Sequence, residues 1–202
     1  MEVNHVQGGK MIRLSQPQQF LAQDREIVEE AYAGDIIGVF DPGIFKIGDT
    51  LCEGSSFKFE GIPVFAPEHF ARVYTKNSLK RKQFMKGIEQ ISEEGAIQLF
   101  RQKDAITQEF IIGVVGILQL EVLEYRLKNE YGVDISMEHL PYKYIRWVKN
   151  PEFNPETFRI TTDTMIAQDQ SLNPVLLFQN EWSIRMVTER NNGVELAEIL
   201  GR

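Results

Sequence analysis

The sequence predicts an α+β fold in three parts. These are a partial β-barrel over residues 1–57, a ferredoxin-like β-α-β-β-α-β domain over 58–149, and a C-terminal α/β extension over 150–202. Three observations carry this. The first fifty or so residues hold short strand-like runs separated by turn residues. Past Phe70 the apolar spacing turns helical twice, each time flanked by strand-like runs. Past Asn150-Pro151 and Asn154-Pro155 a further strand-helix-strand pattern follows.

In the first part, Met11-Ile12-Arg13-Leu14, Gln19-Phe20-Leu21, Asp35 to Phe40 and Phe45-Lys46-Ile47 read as strands. Gly8-Gly9, Ser15-Gln16-Pro17, Ala33-Gly34 and Asp41-Pro42-Gly43 punctuate them. That cadence suits a small barrel or sandwich. These runs are too few to close a barrel, and only full closure removes sheet edges, so the chain is expected to begin inside a domain. Gly61, Pro63 and Pro67 mark the connection to the second part.

There, Phe70 to Tyr74 reads as a strand. Asn77 or Ser78 can cap a helix in which Leu79, Phe84, Ile88 and Ile91 recur at helical spacing until Gly95 ends it. Ile97 to Phe100 and Glu109 to Val115 read as strands joined by a polar turn around Lys103-Asp104. A second helix starts near Ile117 with Ile117, Leu120, Leu123, Leu127 and Tyr131 in line, and Gly132 stands where a left-handed cap closes a helix. Val133 to Met137 supplies the fourth strand, and Tyr142 to Val148 extends the sheet or opens the next subdomain. In the extension, Val175 to Phe178 reads as a strand and Glu181 to Arg190 as a helix with Asn192-Gly193 beyond its end. Val194 to Ile199 reads as a last strand.

The composition, 43% hydrophobic and 25% charged, is that of an ordinary soluble globular protein. No apolar run reaches the roughly 18 residues of a membrane helix, and the first residues, Met1 to His5, lack the basic flank and apolar stretch of a secretion signal. The expected compartment is the cytoplasm. A reducing compartment suits the single cysteine, Cys52, read as a buried free thiol.

No residue pattern marks a catalytic, cofactor or metal site. A phosphate loop needs closely spaced glycines whose amides face the phosphates, followed by Lys and a hydroxyl residue. Gly8-Gly9-Lys10-Met11 lacks the earlier glycine and the hydroxyl, and reads as a hairpin turn. His5, His69 and His139 are too scattered for a ligand motif, and Cys52 has no His near it in sequence. Glu29-Glu30 and Glu93-Glu94 are adjacent pairs that do not share a face, and read as solvated charge.

One charge feature stands out. The net charge is −7, yet Arg72, Lys76, Lys80, Arg81, Lys82 and Lys86 fall between Ala71 and Lys86 with no acid among them, a window of +6 against −13 elsewhere. Contact with a phosphate backbone is one reading, because Lys and Arg give sequence-independent attraction. A helix face kept soluble is the other.

Several segments look familiar. Ile27 to Gly38, with its Ala33-Gly34-Asp35-Ile36 turn, and Ile47-Gly48-Asp49-Thr50-Leu51 resemble the late strands of the second domain of translational GTPases, where such turns close a β-barrel. Ile91 to Phe100, Gly113 to Val122 and Tyr125 to Val133 are similar to the third domain of the peptide chain release factor 3 family. Elongation factor G has a related domain but typically carries Glu-Leu-His-Leu where this chain has Ile117-Leu118-Gln119-Leu120. Ile62-Pro63-Val64-Phe65-Ala66-Pro67-Glu68 also favours the release-factor branch.

The resemblance covers nearly the whole chain and is strongest from Val28 to Val148. It implies a parent GTPase, using GTP and magnesium, that removes class I release factors from the ribosome after peptide release. The phosphate loop, switches and guanine-reading motif are not in this sequence, so the resemblance assigns it no catalytic or cofactor-binding residue. It implies instead a scaffold linking the GTPase to the small ribosomal subunit. Arg72, Lys76, Lys80, Arg81, Lys82 and Lys86 are then candidate contacts with ribosomal RNA or a small-subunit protein.

Other readings stand beside this one. A stand-alone RNA-binding module could stack bases on an open sheet face, although no Lys/Arg-Gly-Phe motif occurs in the third strand. The third-domain region of an elongation factor G-like GTPase is another. A metabolic enzyme would require distant carboxylates or histidines to converge in a pocket.

Overall fold

The computed structural model describes residues 2–14, 18–21, 24–27, 30–41, 43–59, 65–102 and 110–199. The expected turns at Ser15-Gln16-Pro17 and Lys103-Asp104, the pair Val28-Glu29, Pro42, the linker residues Gly61 to Val64 and Glu109 lie outside them. The chain divides into two compact units, Met1–Ile62 and Pro63–Arg202.

In the first unit β1 (Glu2–His5) and β2 (Lys10–Arg13) form an antiparallel hairpin over Gly8-Gly9. Gly9 has φ +60, the left-handed region that glycine tolerates, so this segment is a turn between strands and not a phosphate cradle. β3 (Gln18–Leu21), β4 (Asp24–Ile27) and β5 (Ile37–Gly38) make one three-stranded sheet in the order β4-β3-β5. β6 (Leu51–Cys52) completes the other, in the order β2-β1-β6. Cys52 is a buried free thiol.

Two expectations fail here. Asp35 to Phe40 yields only the two-residue β5, and Phe45-Lys46-Ile47 is not a strand. For the second the cause is local: the Asp41 carboxylate accepts the amides of Gly43, Ile44 and Phe45, and Asp49 accepts that of Lys46, so side chains take donors that a ladder would need. β1, β4 and β6 were not expected from the sequence.

The second unit opens with β7 (His69–Thr75), a 3-10 turn (Ser78–Lys80), α1 (Arg81–Glu93), β8 (Gln98–Arg101), β9 (Phe110–Val114), α2 (Leu118–Glu130) and β10 (Ile135–Leu140). Asn77 caps the 3-10 turn by accepting the Leu79 amide at 3.0 Å. Leu79 departs from its expected place in the core: it sits in that tight turn, 89% exposed, while Phe84, Ile88 and Ile91 are buried. Ile117, placed at the start of the apolar line of α2, is likewise half exposed. Gly132, with φ +65, ends α2 in the left-handed conformation that its position required.

The chain continues through β11 (Tyr144–Val148), β12 (Thr164–Asp169), β13 (Pro174–Phe178), α3 (Glu181–Arg190) and β14 (Leu196–Ala197). The eight described strands of the unit join one sheet, in the order β10-β7-β9-β8-β12-β13-β11-β14. The seam is narrow: β12 meets β8 through the pairs Gln168↔Arg101 and Asp169↔Phe100. Tyr144 to Val148 therefore does not lie beside β10; it sits at the far end of the sheet, between β13 and β14.

Alternation along each strand sorts the core into layers. Ala71, Val73, Leu99, Phe110 and Ile112 face α1 and α2, where Phe84, Ile88, Leu120, Leu123 and Leu127 cover them. Phe70, Phe100 and Ile111 face the other way, onto Ile145, Trp147, Val175 and Leu177 of the second half of the sheet. α3 closes the outside through Val187, against Val148, Leu176 and Phe178. Full burial of side chains of this size is worth roughly 1.5–3 kcal/mol each, so these layers dominate the stability of the unit. No helix among the described residues is long and apolar enough to cross a membrane.

Candidate interaction surface

The six cations of the basic window occupy different environments. Arg72 points from β7 toward its register partner Glu138 on β10, with Nη1 to Oε2 at 2.9 Å. Lys80 is also engaged within the chain: its Nζ donates to the carbonyl oxygen of Gly132, just past the end of α2. A cation there meets the unpaired carbonyls and the negative end of the helix dipole. Lys76 is exposed on the connection after β7, and Arg81, Lys82 and Lys86 are exposed on the first two turns of α1.

Lys82 and Lys86 are four residues apart and share a face. The sign of the charge on α1 is the informative feature. Its first turn contains no acid and its last turn no base, whereas Arg81 and Lys82 open it and Glu93 closes it. Helix dipoles favour the reverse arrangement, by roughly 0.3–1 kcal/mol per exposed charge at low ionic strength. A need for solubility alone would be met by either sign.

Other polar clusters are structural. Gln119, at the start of α2, accepts the amides of Val115 (3.0 Å) and Gly116 (2.9 Å) and donates to the Ala96 carbonyl (3.0 Å), tying the β9–α2 loop to the segment after α1. In the sequence Gln119 is distinguished only by standing where elongation factor G typically has His. Arg126 binds Glu94 at the end of α1 and Glu130 on its own helix, and both carboxylates hold its guanidinium pKa well above the usual value. Asp163 accepts from Ser183 and Asn180 at the start of α3; these and Thr161 pull its pKa down to about 2, the Ser183 hydroxyl most of all.

Among the described residues no three His, Cys, Asp or Glu side chains converge as metal ligands. Gly8-Gly9 lies between strands and not before a helix, so it does not fit a phosphate group. The face of β7–β9 turned away from the helices is no base-stacking platform, because Phe70, Phe100 and Ile111 are each 1% exposed beneath the second half of the sheet.

The second unit layers helices on a sheet, and the first is built of short strands. The family model for elongation factor G domain 2 matches residues 1–54. The model described as class II release factor RF3, C-terminal domain, matches residues 59–188, and the chain belongs to that family.

Among its relatives, peptide chain release factor 3 of Symbiobacterium thermophilum is 56% identical over 194 residues, covering 96% of this chain and 37% of that protein. The protein of the same name from Acaryochloris marina is 45% identical over 199 residues, covering 98% of this chain and 37% of its own length. The chain thus spans a little over a third of these relatives. A crystal structure of a Thermus thermophilus protein superimposes with a TM-score of 0.57 at 20% identity, over 84% of this chain and 25% of that one, a likeness of fold.

Proposed function

We propose that this chain is the ribosome-engaging region of a cytoplasmic translation-termination factor, and that the remaining length seen in its relatives carries the GTPase with its GTP and magnesium. In this reading the parent recycles class I release factors from the ribosome. Residues 1–57 belong to a β-barrel of the translation-factor second-domain type, 58–149 form a ferredoxin-like domain, and 150–202 extend it. The β10-β7-β9-β8 order, with both helices on one face, supports the ferredoxin-like assignment.

The reading rests on the cationic start of α1. Arg81, Lys82 and Lys86, with Lys76 close in sequence, present positive charge against the helix dipole, an arrangement that suits ribosomal RNA phosphate at that end. Arg72, Lys80 and Arg81 also have partners within the fold and add to the local potential.

The test is ribosome affinity across a salt series for the parent factor and its Lys82→Glu/Lys86→Glu variant. Loss of two phosphate contacts lowers affinity and reduces the log-log salt slope by about 2. Equal affinity with an equal slope would leave this face as merely solvated.

A further inference from the structure

α2 is apolar on two opposite sides. Leu120, Leu123 and Leu127 are buried in the core. Leu118, Val122 and Tyr125, spaced four and three residues apart, line up on the other side and are 66%, 52% and 68% exposed. Val115 and Ile117, just before the helix, are 41% and 50% exposed. Single exposed apolar residues are ordinary, but three in register along one helix face form a contiguous apolar stripe of the kind that marks an interaction site.

The rim of this stripe is acidic. Exposed Glu121 and Glu124 run along one side; on the other, Glu94 and Glu130 outnumber Arg126, which they bind. Lys128, 4.0 Å from Asp134, adds one cation near the end. Such a rim repels phosphate and attracts Lys and Arg. Tyr125, the most exposed of the three stripe residues, is of the type that anchors protein interfaces.

We infer that the outward face of α2 docks a protein surface with an apolar centre and a Lys/Arg rim, distinct from the RNA contact proposed for α1. The inference rests on the reading of this chain as ribosome-engaging, since the partner is sought there.

The experiment places a photo-crosslinking amino acid at Val122 or, separately, at Lys82 in the full chain, and irradiates each with purified ribosomes. From Val122 the expected product is a crosslink to a ribosomal protein, at a Lys/Arg-rich peptide. Its yield falls at least about fivefold with Tyr125→Ser or Glu121→Lys/Glu124→Lys. A crosslink from Val122 to RNA or to a second copy of the chain overturns the inference. So does silence at Val122 when Lys82 crosslinks, which leaves the α1 reading standing. A protein crosslink from Val122 with silence at Lys82 upholds the inference and removes the α1 contact, while silence at both removes both.

Discussion

Lys80 holds the end of α2: its Nζ donates to the Gly132 carbonyl, 52 residues further along the chain. This gives one member of a basic run a structural duty. Lys80→Met keeps the aliphatic stem but loses the donor, and is expected to cost about 1 kcal/mol, the usual net worth of such a bond. Thermal unfolding of wild type and variant checks this, and an unchanged midpoint would remove the cap.

Lys82 is predicted to behave in the opposite way. Lys82→Glu puts an acid in the first turn of α1 and a Glu-to-Lys pair with Lys86 four residues on, so stability should rise by about 0.3–1 kcal/mol at low ionic strength. The gain should fade in high salt. Urea unfolding at low and high salt measures both. A destabilised variant would mean that the lysine serves the fold, and would weaken the case that its sign was selected for a partner.

Gln119 closes the start of α2 through both ends of its amide. Gln119→Ala should cost about 1–3 kcal/mol, because it leaves two amides and a carbonyl to find new partners. Gln119→Glu retains the acceptor for Val115 and Gly116 while losing the donor to Ala96, so it should cost less. If the two variants unfold alike, the clamp acts through packing and not through hydrogen bonds.

Asp163 sets a pH limit on the start of α3. Its folded pKa, about 2, lies below the ordinary 3.8, so its contribution is fully present above about pH 4 and is lost as pH falls through about 2. Unfolding midpoints between pH 4 and pH 2 should decline less in Asp163→Asn than in wild type. Parallel declines would assign the acid sensitivity to other carboxylates.

Elements with local signals were legible in the sequence. α3 spans Glu181–Arg190 as its periodicity indicates, between the Asn180 cap and Asn192-Gly193, and β9, Phe110–Val114, is a contiguous apolar run. The basic window and the family resemblance were legible for the same reason, since residues adjacent in sequence carry them.

β12 was not legible. Its two buried residues, Thr164 and Ala167, are small, its apolar run Met165-Ile166-Ala167 is short, and the pairing of Gln168 and Asp169 with β8 makes this strand the seam of the sheet. The exposure of Leu79, the partner of Lys80, and the two apolar sides of α2 were likewise decided by tertiary structure. Sequence periodicity reports which residues share a face, but whether that face is covered, and which carbonyl lies within reach of a lysine, depends on segments tens of residues away. Those contacts come into being only when the sheet order is set.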